Sequence, residues 1–362
     1  MVYKAIGIMS GSSLDGLDIA YVNLQETGGK WNYEIVAAAC YTYSAELKKE
    51  LLHATQLSAL DYQLLHTGYG HYIGEQVNQF IEAHGLHRKV DLIASHGHTS
   101  FHLPQQKMTA QLGDGAAIAA ITKLPVINDL RALDIAYGGQ GAPLVPVGEK
   151  LLFSEYDYFL NIGGIANITA KNKEGYIAFD VCPANKVLNM LAEERQVEYD
   201  AEGRIAASGS INKNLLDELN GLAYYQQSFP KSLANSFGTE VVHAIIKKSG
   251  LIIEDALRTY VEHIAIQVSN ALKAAGALPS TKLLITGGGA FNLLLLERLE
   301  DLLKKQLIEL IVPDAKLIEY KEALIMALIG VLRWREEYNV LSSVTGASQN
   351  SIGGALWLGT EI

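Results

Sequence analysis

Cysteine is nearly absent from this 362-residue chain: Cys40 and Cys182 are the only two. Two thiols cannot build a disulfide framework or a four-cysteine zinc site. Basic residues are in deficit, 29 Lys and Arg against 39 Asp and Glu, a net charge of −10. No basic field exists to track a polynucleotide backbone, so nucleic acid is not expected as a partner. An anion such as a nucleotide would have to be held by local backbone amides instead. Long apolar runs are missing too. The longest, Ala323 to Leu332, has ten residues and stops at Arg333, so no membrane span is expected. The opening MVYKAIGIMSG carries Lys4 inside a short apolar run with no cleavage site behind it. A secretory signal is therefore not expected, and a cytoplasmic protein is. No GxxxxGK[ST] string occurs, and no GxGxxG follows a strand in a βαβ context. Neither a P-loop nor a dinucleotide fold is expected.

What is present is an ordinary globular balance, 49% apolar and 19% charged. The length is about twice that of one compact unit, which predicts two domains. The apolar pattern switches repeatedly between period two and period 3.6, which predicts an α/β fold. Strand-like runs lie at 3–9, 17–22, 34–39, 92–94, 158–161, 165–169, 176–179 and 283–286. Helical stripes run from Leu60 to Ile81, stopped by His84-Gly85, and from Leu257 to Leu272. Glycine is plentiful (33) where proline is scarce (8), a pattern of tight turns between regular elements.

Three of those turns share a form. A strand enters SGSSLDG (10–16) and another leaves it; a strand enters IGGIAN (162–167) and another leaves it. LLIT (283–286) then runs into Gly287-Gly288-Gly289-Ala290 and a helix from Asn292 to Leu303. Amides in a tight turn can converge on one oxygen, and glycine admits a phosphate where a side chain would block it. Gly11 and Gly16 permit the first turn, while Ser10, Ser12 and Ser13 offer hydroxyl donors. Asp15 would repel a phosphate but could hold Mg²⁺ through water. Gly163 and Gly164 could do the same amide work, and the GGGA turn could lie under an adenosine. Any one of these alone is equally an ordinary turn.

Together the strings resemble the anhydro-N-acetylmuramic acid kinase family: GIMSGSSLDGLDIA (7–20), SHGHTSFHLP (95–104), QLGDGAAIA (111–119), NDLRALDIAYGGQGAPLVP (128–146), NIGGIANIT (161–169), FDVCPAN (179–185), TGGGAFN (286–292) and KEALIMA (321–327). The resemblance implies two actin-like (ribonuclease H-like) α/β domains around a central nucleotide and sugar cleft. It places residues 1–131 and 341–362 in one domain and 132–340 in the other. It implies ATP and Mg²⁺ as cofactors, an anhydro amino sugar as small-molecule substrate, a homodimer, and a role in peptidoglycan recycling. The nucleotide set it gives is Gly11, Ser12, Ser13, Leu14, Asp15, Gly16, Leu17, Asp18, Asn161, Gly163, Gly164, Gly287, Gly288 and Gly289.

The implied substrate has no free 6-hydroxyl, since O6 is tied to C1. Water must attack C1 while O6 leaves and attacks the γ-phosphorus. A carboxylate must take the proton from that water, as in an inverting glycosidase. Asp180 matches the aspartate of the family's FDTGPGN motif, although Val181 and Cys182 stand for Thr-Gly and Ala184 for the second Gly. Read without the resemblance, Asp180 is equally a helix cap before Pro183. Glu322 matches a glutamate that faces the anhydrosugar; the alternative is a solvated helix face. Arg131 suits the lactyl carboxylate, two parallel hydrogen bonds to a guanidinium, or else pairs with Asp129 or Asp134. His96 and His98 hydrogen-bond the sugar or tie loops nearby; the family usually has Gln where His98 stands. His96, His98 and His102 lack the ligand pattern of a zinc site. Lys231, in FPKS, matches an element placed near the substrate. Cys182 is expected to be an inert packed thiol. The alternatives are a kinase of a different small sugar, or a non-catalytic actin- or heat-shock-70-like ATPase.

Overall fold

The computed structural model describes every residue except Ser12, Ser13, Lys173, Glu174, Pro230, Asn235, Glu361 and Ile362. Two compact units emerge, residues 1–154 with 320–362, and residues 155–319. The crossover and return therefore lie at 154/155 and 319/320, not at the expected 131/132 and 340/341. Two local facts move them. The helix Pro146–Leu152 packs its Gly148 against Ile325, which keeps it in the first unit. The return falls inside a helix, Ala315–Trp334, where Tyr320 leaves helical geometry (φ −114°, ψ 15°).

The first unit is built on β1 (Val2–Ser10), β2 (Gly16–Thr27), β3 (Lys30–Thr42), β4 (Leu92–Ser95), β5 (His98–Leu103), β6 (Met108–Leu112) and β7 (Val126–Asn128). Its main sheet runs β3-β2-β1-β4-β7, closed by the strand Ala355–Trp357; β5 and β6 form a separate hairpin. Strands β1, β2 and β3 are antiparallel neighbours, whereas β4 and β7 follow parallel to β1. The helix Ala59–Ala83 starts at Ser58, whose hydroxyl accepts from the Asp61 N–H, and ends before Gly85, which has a left-handed φ of 60°. Its Tyr69, Ile73, Val77 and Phe80 face Ile6, Ile8, Leu17 and Ile19 in one apolar core.

The second unit carries β8 (Tyr158–Ile162), β9 (Ile165–Asn172), β10 (Gly175–Pro183), β11 (Thr281–Thr286) and β12 (Ile308–Ile311), in the order β10-β9-β8-β11-β12. Here too three antiparallel strands are followed by two parallel ones. The two sheets thus repeat one topology, and the hairpins β1–β2 and β8–β9 occupy equivalent places in it. This is the α/β duplication expected of two actin-like domains. The predicted strands and the three predicted helices are present; the β5–β6 hairpin, β7, β12 and the strand Ala355–Trp357 were not anticipated.

The ten-residue apolar run has a plain explanation. Ala323 to Leu332 lies inside the helix Ala315–Trp334 with every residue buried, an interior helix rather than a membrane segment. Small residues let it approach the sheet. A Cβ on Gly7 of β1 would stand 1.8 Å from the Ala323 carbonyl oxygen, and one on Gly330 would stand 2.5 Å from the Ala94 Cβ. No helix among the described residues is long and apolar enough to cross a membrane.

Candidate active site

In the second unit, Asp180 lies near the end of β10, at a bulge. The register with β9 shifts between Asp180, opposite Asn167, and Cys182, opposite Ala166. A bulge breaks strict strand alternation and re-aims side chains. Val181, Cys182 and Pro183 are consecutively buried, while Asp180 stays half-buried. Its side chain does not cap the following helix, Asn185–Glu193. Its Oδ2 accepts from the Leu233 N–H at 2.8 Å instead, and Oδ1 has no partner among the described residues. The Asp180 backbone is held as well: its N–H donates to the Lys231 carbonyl (3.2 Å), and its carbonyl accepts from the Tyr224 hydroxyl (2.7 Å). Burial raises the Asp180 carboxyl above the ordinary range, partly offset by the Leu233 N–H. Lys231 itself turns to Tyr224, donating to its carbonyl (3.3 Å) with the ammonium 4.5 Å from the ring centroid. The Cys182 thiol is fully buried and pushed far up by burial, as an inert packed thiol should be.

The glycine turns of this unit divide into two kinds. Gly287 has φ +81°, and a Cβ there would sit 2.5 Å from Asn161 Oδ1 and 2.8 Å from the Ile162 oxygen. A Cβ on Gly289 would lie 2.2 Å from Ile162 Cγ2. Packing on the end of β8 accounts for both. Gly163 and Gly164 are different, since a Cβ on either would meet nothing nearer than 3.6 and 3.7 Å. Their carbonyls cap the helix Asn185–Glu193: Gly163 accepts from the Asn185 N–H (3.0 Å) and Gly164 from the Ala184 N–H (2.8 Å). Asn185 Nδ2 donates to the Ile162 carbonyl (3.0 Å), tying β8 to the same helix start. Gly288 passes beside that amide, 3.3 Å from its would-be Cβ.

In the first unit, the β1–β2 turn keeps only part of its expected chemistry. Ser12 and Ser13 lie outside the described residues. Asp15 is exposed and Gly11 and Asp18 are half-buried, whereas the Leu14 and Leu17 side chains belong to the core. Only backbone atoms of those two leucines could meet a ligand. Gly16 is demanded by strand packing, a Cβ there standing 2.6 Å from Cys40 Sγ. Ser10 is buried, and its hydroxyl is already engaged: it accepts from Tyr43 (2.8 Å) and meets His98 Nδ1 at 3.1 Å. It offers nothing to a phosphate.

The end of β4 carries the other histidine. His96 is spent on both sides, Nδ1 against the Gly97 carbonyl (2.8 Å) and Nε2 accepting from Arg131 Nε (3.0 Å). An imidazole that accepts from a guanidinium is neutral, and burial followed by the Arg131 charge holds its pKa down to about 3. His96 therefore orients Arg131 rather than reaching a sugar. Arg131 pairs with neither expected aspartate: Asp134 accepts from the Gly141 N–H (2.8 Å) and the Thr345 hydroxyl (2.7 Å). The charge that faces Arg131 is Glu322. Burial lowers Arg131 to about 10, opposed by Glu322. Burial raises the Glu322 carboxyl, opposed by Lys321 and then Arg131. Glu322 is half-buried, so it is not a solvated helix-face residue. Sequence reading missed its neighbour pair, Lys321 Nζ to Glu149 Oε1 at 3.0 Å with both side chains about fully buried. A lysine heading an apolar helix was the available signal.

The geometry thus offers a half-buried carboxylate with one oxygen unpartnered among the described residues, a neutral histidine holding a guanidinium, and an open pair of glycines. Comparisons with known sequences agree on one family. The sequence model of anhydro-N-acetylmuramic acid kinase matches residues 3–359. An anhydro-N-acetylmuramic acid kinase of Vibrio vulnificus (strain YJ016) is 33% identical over 97% of this chain and 97% of its own. One from Sulfurovum sp. (strain NBC37-1) is 35% identical over 98% and 99%. Among solved structures, the Acidaminococcus fermentans (R)-2-hydroxyglutaryl-CoA dehydratase component A superposes with a TM-score of 0.48 at 15% identity, covering 90% of this chain and 96% of that one. With its motifs matched from end to end, the chain belongs to the anhydro-N-acetylmuramic acid kinase family.

Proposed function

We propose that this protein opens the internal acetal of 1,6-anhydro-N-acetylmuramic acid with water and transfers the γ-phosphoryl group of ATP to O6. The product is N-acetylmuramic acid 6-phosphate, recovered from cell-wall fragments. The observation that carries this reading is Asp180, with one carboxylate oxygen fixed by a backbone N–H and the other without a partner among the described residues. That oxygen takes the proton from the water attacking C1. Burial raises its proton affinity, which suits a base that must accept a proton in the transition state. As C1–O6 breaks, O6 becomes the nucleophile toward the γ-phosphorus.

Arg131, pre-aimed by His96, meets the lactyl carboxylate, and Glu322 stabilises positive charge developing at C1. Lys231, stacked on Tyr224, and His98 complete the sugar contacts. Gly163 and Gly164 fit the triphosphate, because no packing reason excludes a side chain from either place. Asn161 and Gly287 to Gly289 line the adjoining turn for the adenosine. Asp15 is exposed at the β1–β2 turn and fits a water-coordinated Mg²⁺, an ion that usually keeps several waters. Bound there, the ion would neutralise charge on the phosphates. The protein acts in the cytoplasm, where ATP and imported fragments meet, and as a homodimer.

The test is ATP turnover with and without the anhydrosugar, with the phosphate position in the product read by ³¹P NMR. Turnover that ignores the anhydrosugar but responds to an ordinary hexose overturns this reading.

A further inference from the structure

His98 sits at the start of β5, 7% exposed, with Nδ1 at 3.1 Å from the Ser10 hydroxyl and Nε2 without a partner among the described residues. Ser10 ends β1 and is 3% exposed. Behind it stand two more hydroxyls. Tyr43 donates to Ser10 Oγ at 2.8 Å and lies 2.7 Å from the hydroxyl of Tyr69, which is 1% exposed. Three buried hydroxyls therefore form a chain whose Ser10 end meets one ring nitrogen.

We propose that the buried Tyr69–Tyr43–Ser10 hydroxyls fix His98 as a neutral imidazole protonated at Nε2, a hydrogen-bond donor that selects a carbonyl or carboxylate oxygen of the sugar substrate. The directions follow from the donor inventory. The Tyr43 proton is spent on Ser10, and among the described partners of the buried Ser10 hydroxyl the acceptor left for its own hydrogen is His98 Nδ1, whereas a proton on Nδ1 would leave that hydrogen unpaired. A ring nitrogen that accepts leaves the proton on the other nitrogen. That nitrogen, Nε2, is the atom with no internal partner. His96 is set in the opposite tautomer, since its Nε2 accepts from Arg131. The Arg131 guanidinium held by His96 and the His98 Nε2–H are thus both hydrogen-bond donors. Such a pair favours a ligand face carrying acceptor-only oxygens and leaves an ammonium group unmatched. His98 stays uncharged across the usual assay range, with burial holding it to about 4, so the recognition is by hydrogen bond and not by charge.

Ser10, Tyr43 and Tyr69 are positioning residues in this scheme, and His98 is the contact. The inference rests on the sugar-kinase reading for its ligand but not for its tautomer. Two measurements separate them. Long-range ¹H–¹⁵N correlation on the full-length protein without ligand should show His98 with Nε2 protonated and Nδ1 unprotonated. A proton on Nδ1 overturns the proposal, whether or not the protein turns over the anhydrosugar. Steady-state kinetics then test the consequence. Ser10→Ala and Tyr43→Phe should raise the KM for the anhydrosugar on the order of tenfold, the value of one hydrogen bond, with the KM for ATP unchanged. His98→Gln, which keeps an N–H donor, should retain sugar affinity, and His98→Leu should lose it. Equal rises in both KM values, or a His98→Gln as impaired as His98→Leu, overturn the proposal.

Discussion

Replacing Asp180 by Asn removes a proton acceptor and little else. The Asn side-chain oxygen can still take the Leu233 N–H that Asp180 Oδ2 accepts at 2.8 Å, so the loop that carries Lys231 and Leu233 keeps its anchor. The backbone bonds to Lys231 and Tyr224 are untouched by the change. What is lost is the free oxygen. A positioned general base contributes about 10²- to 10⁴-fold, so kcat should fall roughly a thousandfold, about 4 kcal/mol of transition-state stabilisation. ATP affinity should stay within about twofold, as expected for a group that shares no partner with the Gly163–Gly164 turn.

The pH profile gives an independent readout. The base works as carboxylate, so activity falls as pH drops through its pKa. Burial raises that pKa, which puts the acid limb above the ordinary aspartate range. The Asn variant should show residual activity without that limb. Stability moves the other way. A carboxyl with a raised folded-state pKa binds its proton more tightly folded than unfolded. Stability then falls as pH rises from the unfolded value through the folded one, and the loss persists at neutral pH. Asp180→Asn should therefore melt no lower than wild type at pH 7, and higher if relaxation is complete. The assay is coupled ATP turnover with the anhydrosugar, alongside calorimetry. A variant that keeps a tenth of the wild-type kcat, or retains the acid limb, refutes the assignment.

Three other outcomes follow from the same geometry. Gly164→Val should fold normally, because the new Cβ would meet only Lys186 Cβ at 3.7 Å, yet weaken ATP binding; unchanged affinity by calorimetric titration removes this turn from the phosphate site. His96→Phe should cost about 1–3 kcal/mol by leaving the Arg131 Nε–H unpaired, and should raise the sugar KM as Arg131→Lys does; a wild-type melting curve and KM would show that Arg131 needs no orienting group. Lys321→Met should destabilise by about 3–5 kcal/mol in denaturant titration by stranding Glu149, and adding Glu149→Leu should recover most of it; a null effect of the single change would mean the pair is not buried in solution.

Much of the fold was legible because it is written in local chemistry. Alternating apolar residues gave the strands, and Ser58 with Gly85 bounded the helix Ala59–Ala83, whose apolar face needs no long-range information. The short β7 and β12, three and four residues, have too little sequence to show a period, and they exist because parallel neighbours pair with them. The site divides along the same line. Asp180 and Glu322 were visible as motif residues, but whether Asp180 capped a helix or stood free depended on a bulge and on Leu233, more than fifty residues away in sequence. For His96 the choice between touching the sugar and tying loops stayed open because nothing local reveals that Arg131 consumes its Nε2. Ser10 was expected to donate to phosphate because Tyr43 and Tyr69 approach it only through tertiary packing.

Glycine is where sequence and structure must be read against each other. In the sequence, Gly16, Gly163, Gly164, Gly287 and Gly289 carry equal weight as possible phosphate contacts or simple turns. Would-be Cβ distances separate them. At 1.8 Å from the Ala323 oxygen, Gly7 is an element of packing that seats the helix bearing Glu322; at 2.6 Å from Cys40 Sγ, Gly16 lets β2 approach β3. Gly287 and Gly289 let a turn lie on the end of β8, at 2.5 and 2.2 Å. Each would be required in a protein that bound nothing. Gly163 and Gly164 have no close neighbour and no left-handed φ, so neither sterics nor backbone strain calls for glycine at either place. A residue type without an internal reason points to an external one, and the same turn already lends its carbonyls to the helix Asn185–Glu193 while its N–H groups donate to no backbone partner among the described residues. An anion is the ligand class that such free amides accept, which makes this turn, rather than the more glycine-rich Gly287–Gly289, the stronger candidate for holding phosphate.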